Sequence, residues 1–114
     1  MNELTLEIEG INIEQKTEFV NNLKSLSIIS DVKDIKQLSQ IEFKEVSFTI
    51  LLFIKDVGVQ LLIDLLAKKI LEFFEKEKSN DNEPIEIIHR KITFIQGDTK
   101  SIIEEKIKKI LNNR

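Results

Sequence analysis

His89 is the residue of this chain best suited by its type to acid–base or metal chemistry. It is the only histidine in the 114-residue sequence, so an imidazole acid, base or metal ligand would have to be built around it. Arg90 and Lys91 follow it directly and disfavour a protonated ring. The chain also lacks cysteine, which excludes thiolate metal sites and cysteine nucleophiles. We therefore predict no catalytic residue, no metal site and no cofactor.

Carboxylates are plentiful, and they form two close pairs. Glu7 lies near Glu9, and Glu104 lies beside Glu105. Acid–base catalysis needs two carboxylates in unlike environments within a cleft. Both pairs fall on faces that the hydrophobic pattern assigns to solvent, so we interpret them as solvated side chains.

The sequence GDTK, from Gly97 to Lys100, could bind an anion weakly. It combines the N–H groups of a helix start with a lysine. Asp98 would compete for those N–H groups as a helix cap. The three glycines of the chain are isolated, so no glycine-rich loop is present to hold a nucleotide.

The charge balance argues against a nucleic-acid-binding protein. The formal net charge is −3, and the 17 basic residues are spread among 20 acidic ones, whereas phosphate binding needs clustered cations. The N-terminal stretch resembles no signal peptide, and no apolar run reaches the length of a membrane span. We expect a cytoplasmic protein that forms one domain over residues 1–114.

The N-terminal third predicts a strand followed by a helix. Leu4, Leu6 and Ile8 alternate with polar residues, which is typical of a strand with one buried face. Asn12 and Gln15 form a capping pattern before an amphipathic helix over residues 14–26.

The segment over residues 44–55 is ambiguous between strand and helix. Strict alternation from Val46 to Ile54 favours a strand that is almost fully buried towards its end. A long helix that continues into the next segment is the alternative. Val32, Ile35 and Leu38, just before it, recur at a spacing closer to three than to two.

Residues 57–78 predict a long and very apolar helix. Its polar stripe is narrow, and the apolar remainder is wider than the stripe of about 100° that one sheet would cover. The polar positions are Gln60, Asp64, Lys68, Glu72 and Glu75. The chain's own sheet and helices could cover this width, since one domain needs a large core. Alternatively, Leu61, Leu65 and Phe74 are available to a partner or a second copy, which is the hypothesis we pursue. Contact with a membrane surface is the least favoured alternative, because the polar stripe mixes acids with lysine.

After a turn-rich break, the chain predicts a hairpin and a last helix. The apolar positions change phase around residues 89–91, which a turn or bulge would explain. Asp98 or Ser101 would cap the helix that follows. The whole pattern predicts an α+β fold, a two-layer sandwich of a small, mostly antiparallel sheet with about three helices.

The second half also resembles a known family. LLIDLLAKKILEFFEKEK, IEIIHRKITFIQG and DTKSIIEEKIKKIL give the order long apolar helix, strand pair and last helix, over residues 61–111. This order is similar to the effector-associated constant component domains of bacterial conflict systems. Phe73 and Phe74 stand where such domains often carry a tryptophan near an arginine-rich helix end. The resemblance implies a non-enzymatic module that couples to a defence effector, with no defined site residues.

Three functional hypotheses follow from the sequence. The first is a non-enzymatic protein-interaction module, either an adaptor or a homo-oligomer, that uses the long helix. The second is a small enzyme or ligand-binding domain with a pocket between sheet and helices, which a cleft joining His89 to a carboxylate would favour. The third is a viral or plasmid-encoded inhibitor that binds a host protein through an acidic surface.

Overall fold

A computed structural model describes residues 2–35, 47–78 and 83–112. Its elements follow in the order β1 (Asn2–Glu9), α1 (Ile13–Lys24), β2 (Ile29–Ile35), β3 (Ser47–Ile54), α2 (Val59–Lys76), β4 (Glu86–His89), β5 (Ile92–Ile95) and α3 (Lys100–Asn112). The strands form one sheet in the order β2-β3-β1-β4-β5, and every neighbouring pair is antiparallel. The predicted α+β class, with three helices and an antiparallel sheet, is confirmed.

The two faces of the sheet differ in burial, because successive side chains of a strand point to opposite faces. On one face the strand side chains join the buried helix side chains in a single hydrophobic cluster that includes residues of every element. In β1 these are Leu4, Leu6 and Ile8, and their neighbours in the sequence, such as Thr5 and Glu7, are exposed. The helices therefore cover one face of the sheet.

The predicted capping pattern opens α1. The Asn12 side chain accepts a hydrogen bond from the Gln15 backbone N–H, and the Gln15 side chain accepts one from the Asn12 N–H, both at 2.9 Å. Because each side chain satisfies an N–H group that the helix leaves unpaired, the helix start is fixed locally. From there Phe19, Val20 and Leu23 reach the core.

The ambiguous segment is a strand, since β3 covers Ser47–Ile54. The helix alternative is therefore wrong, although Val46 lies outside the described residues. The strand is not fully buried at its end, because Leu51 and Phe53 are only half-buried. They lie on the face of the sheet that the helices do not cover.

The spacing of nearly three in the preceding segment does not mark one buried face, because Val32 is buried whereas Ile35 is 43% exposed on the opposite face of β2. A bulge before Val32 further obscures the pattern. Ile29 and Val32 are both buried, and the pairing with β3 shifts register between Ile29 and Asp31. An inserted residue places two buried side chains three positions apart rather than two, which hides the strand period. Leu38 lies outside the described residues.

The long helix α2 is flanked on both sides by the other helices. Phe19 of α1 stacks on Phe73 at a ring-centroid distance of 4.2 Å, while Lys100 of α3 pairs with Asp64 at 2.9 Å. With α1 and α3 on its two sides, α2 buries more of its circumference than contact with the sheet alone would allow. Seven of its side chains are buried in this way: Leu62, Ile63, Leu66, Ala67, Ile70, Phe73 and Phe74.

The predicted hairpin is present, and its turn is Arg90–Lys91 between β4 and β5. The last helix begins at Lys100, between the starts that the two predicted cap positions would give. Thr99 precedes it, and its hydroxyl accepts a hydrogen bond from the Ile102 backbone N–H at 3.3 Å. Asp98 and Ser101 were therefore wrong as caps; Ser101 lies inside the helix. Within the described ranges, no helix is both long and apolar enough to cross a lipid bilayer.

Candidate interaction surfaces

His89 ends β4 and contacts the backbone of β1. Its Nδ1 atom lies 2.9 Å from the Thr5 carbonyl oxygen. β4 pairs with β1 only at Glu7, Ile8 and Glu9, so the imidazole satisfies a carbonyl just beyond the paired segment. This is a structural role, and the partner is not a carboxylate.

A shallow cavity of about 270 Å³ lies beside the hairpin turn and is lined by His89, Arg90, Lys91, Ile92 and Ile110. No carboxylate is among these lining residues. The cleft that would have favoured an enzyme, with His89 beside a carboxylate, is thus not formed by the described residues. Within residues 2–35, 47–78 and 83–112, no group of three or more potential ligands could hold a metal ion.

The GDTK segment is occupied by internal contacts. Asp98 accepts a hydrogen bond from the Ile95 backbone N–H at 3.0 Å and one from Lys106 Nζ at 2.7 Å. Lys100 donates to Asp64, and this hydrogen bond together with the charge of Asp64 raises the pKa of Lys100 above its usual value. The lysine that was predicted to attract an anion therefore already has an acidic partner.

The three side chains predicted to contact a partner from α2 differ in exposure. Leu61 is 48% exposed, and Leu65 is half-buried against the core. Phe74 is only 4% exposed, so it packs inside the chain's own core. Leu61 and Leu65 are one helical turn apart, and they leave a narrow apolar ridge on α2.

The uncovered face of the sheet is a larger surface, and we call it the open face. Its members are assigned by strand alternation and by register, because directly opposed residues share a face. In β3 they include Thr49, Leu51 and Phe53, which oppose Glu7, Thr5 and Glu3 of β1. Sequence reasoning missed this face because it treated the end of β3 as buried on both sides.

Apolar side chains occur on both sides of β1 on the open face. Leu51 and Phe53 on β3 and Ile88 on β4 are half-buried, whereas Ile35 on β2 is 43% exposed. Ile95, at the far side on β5, is also exposed.

The centre of the open face is acidic. Glu3, Glu7 and Glu9 follow one another along the same side of β1, and Glu86 of β4 lies directly opposite Glu9. We call these four residues the acidic stripe. Among the described strand residues of this face Lys33 is the only cation, and its Nζ atom lies 5.4 Å from the centre of the Phe53 ring.

Comparisons with known proteins identify no relative. No protein-family model matches the chain, and neither the curated proteins nor the solved structures gave a significant match. The similarity to effector-associated constant component domains stays a prediction.

Proposed function

We propose that this protein is a non-enzymatic protein-interaction module whose contact surface is the open face of the sheet. One observation carries the proposal: three helices cover one face, while the other face carries half-exposed apolar side chains, among them Leu51, Phe53 and Ile88. In a two-layer fold the uncovered face of an antiparallel sheet usually carries polar side chains. Several partly exposed apolar side chains on one uncovered face are typical of a protein contact.

The ridge on α2 is the second candidate for this contact. It consists of Leu61 and part of Leu65, together with Val59 at the helix start, which is 60% exposed. Isolated apolar side chains of this kind are common on protein surfaces. The open face is therefore the better supported surface.

Three observations favour a module without catalytic activity that binds protein rather than nucleic acid. His89 contacts a backbone carbonyl, and the lining of the nearby cavity contributes no carboxylate. The acidic stripe would repel a phosphate backbone. We infer an adaptor role in the cytoplasm, and the similarity in the second half of the chain suggests a prokaryotic defence effector as the partner.

Site-specific photo-cross-linking in the native host tests this proposal. A benzoylphenylalanine is placed at Leu51 on the open face, at Leu61 on the α2 ridge, or at Lys68, which is exposed on α2. We expect Leu51 to give a discrete cross-linked protein and Lys68 to give none. The substitution Ile88→Glu, on the same face as Leu51, should abolish that product.

Two results would contradict the proposal. A discrete product from Leu61 alone would assign the contact to α2, as the sequence first indicated. A Leu51 product that persists in the Ile88→Glu variant would show that the cross-link does not depend on the open face.

A further inference from the structure

We propose that the open face receives a basic amphipathic helix from a partner protein. The inference rests on the proposed function, because it specifies the partner of the same surface. The partner's lysine or arginine side chains would pair with the acidic stripe, and its apolar side chains would pack on Leu51, Phe53 and Ile88.

Charge complementarity is the first argument. The acidic stripe places Glu3, Glu7 and Glu9 along β1, the central strand of the sheet, with Glu86 beside Glu9. Asp31 adds a carboxylate opposite Phe53. The described strand residues of this face thus carry five acids against the single cation Lys33, so they attract a partner of positive charge.

The arrangement of apolar side chains specifies an amphipathic partner. Leu51 and Phe53 lie on β3, on one side of the acidic stripe, and Ile88 lies on β4, on its other side. Alternate residues of a strand are about 7 Å apart, so Glu3 and Glu9 are separated by about 20 Å. A helix of about 13 residues spans that distance. Such a helix would cover both the carboxylates and the flanking apolar side chains.

The chain itself shows that the open face accommodates a cation next to an aromatic ring. Lys33 Nζ lies 5.4 Å from the centre of the Phe53 ring, which is within the range of a cation–π contact. Thr5 and Leu51, which are opposed in the sheet, separate this site from Glu7. A lysine of the partner that lies over β1 near Glu7 would contact both a carboxylate and an apolar side chain.

A second copy of this chain fits the open face less well. Face-to-face association would bring two acidic stripes together, and like charges across an interface oppose association. Addition of a strand at β5 is also disfavoured, because Lys106 and Asp98 already bond the outward backbone groups of Thr93 and Ile95. A helix that lies along β1 on the open face fits both its charge and its apolar side chains.

Binding of a defined peptide tests the inference. The probe is a synthetic amphipathic helix of leucine and lysine, and the control peptide replaces each lysine with glutamate. Affinity is measured by titration calorimetry at low and high salt, and the binding surface is mapped by NMR amide shifts. We expect only the lysine peptide to bind, with shifts concentrated in β1, β3 and β4 and with weaker affinity at high salt.

Matched variants identify the residues that bind the peptide. The double variant Glu3→Lys, Glu7→Lys should weaken binding of the lysine peptide by about tenfold or more at low salt, since two attractions become repulsions. The double variant Glu75→Lys, Glu105→Lys makes the same charge change at exposed positions of α2 and α3 and should alter affinity by less than about twofold. Leu51→Ser should weaken binding without changing its salt dependence. Urea midpoints of all the variants verify that the fold is retained.

The outcomes separate this inference from the proposed function. Equal binding of both peptides, equal effects of the Glu75/Glu105 and Glu3/Glu7 variants, or shifts centred on α2 would overturn the basic-helix partner. If Leu51 still cross-links a protein in that case, the open face remains a contact surface for a partner of different chemistry. If the cross-link is absent as well, both proposals fail.

Discussion

Lys106 Nζ lies 2.7 Å from Asp98 Oδ2, and the two side chains together close the outer edge of β5. Lys106 also donates to the Thr93 carbonyl at 2.7 Å, and Asp98 accepts from the Ile95 N–H at 3.0 Å. Thr93 and Ile95 direct these groups away from β4. An edge strand with free backbone groups can pair with another chain, and occupied groups prevent this.

We predict that Lys106→Met destabilises the protein by about 1–3 kcal/mol, because Asp98 and the Thr93 carbonyl lose their donor in a half-buried place. The variant should also aggregate more readily on heating. Urea unfolding and light scattering measure the two effects. Lys108→Met is the control, because among the described residues Lys108 pairs with Glu105 alone, at i,i+3 on the helix surface. It should change stability by less than about 0.5 kcal/mol. Equal effects of the two substitutions would contradict the edge-closing role.

Adjacent residues of α2 provide a second prediction. Leu61 is 48% exposed and Leu62 is 3% exposed, so the same substitution should have different outcomes. Leu61→Glu should leave the fold intact and change stability by less than about 1 kcal/mol. Leu62→Glu buries an unpaired charge and should cost about 3–5 kcal/mol or prevent folding. Circular dichroism and urea unfolding measure both.

The variants Leu61→Glu and Leu62→Glu also test whether α2 contacts a partner. If Leu61→Glu disrupts association while the fold remains, the ridge on α2 is part of an interface, as its apolar width first suggested. Unfolding of Leu61→Glu would show that Leu61 belongs to the core despite its exposure.

Local patterns predicted the elements well where one residue period continued without interruption. The alternation in β1, the capping residues Asn12 and Gln15 and the phase change at the β4–β5 turn all depend on near neighbours in the sequence. In β2 the bulge before Val32 and the apolar Ile35 on the opposite face both interrupted the period, and that strand was missed for this reason. The order of strands, and with it the open face, depends on pairings between distant segments that periodicity does not report.

Gln96 shows most clearly what the sequence could not reveal. Its side-chain amide donates to the carbonyls of Phe74 and Glu77 at 2.8 Å each, and its oxygen accepts from the Ile85 N–H at 3.2 Å. One residue thereby joins the end of α2 to the start of the hairpin. Glutamine has no local signature for this role, because all three partners are distant in sequence.

Alkaline pH should weaken the contacts of α2 with its neighbouring helices. The hydrogen bonds and charges of Glu18 and Asp64 raise the pKa of Lys76 and of Lys100, respectively, above the usual value of 10.5. A raised pKa in the folded state means that the stabilisation is complete below the unfolded value and is lost as pH rises through the folded value. Stability should therefore fall as pH increases above about 10.

The double variant Lys76→Met, Lys100→Met isolates this effect. Its urea midpoint should depend less on pH between about 9 and 11.5 than that of the unsubstituted chain. Lys68→Met removes an exposed lysine of α2 for which the described ranges contain no ion-pair partner, and it should keep the original dependence. An unchanged slope in the double variant would show that the two ion pairs do not contribute to folding.

The hairpin turn provides the last prediction. Arg90 has a φ of 56° and is the only non-glycine residue with positive φ in the described part of the chain. The left-handed conformation costs a residue with a Cβ atom about 1–2 kcal/mol relative to the right-handed one, whereas glycine adopts it readily. Arg90→Gly should therefore raise the urea midpoint, with a gain of up to about 1 kcal/mol after the added flexibility of the unfolded chain is subtracted. Lys91→Gly lies in the same turn without positive φ, so it should lower stability by about 0.5–1 kcal/mol. If both glycine substitutions destabilise the protein equally, the conformation of Arg90 stores no strain.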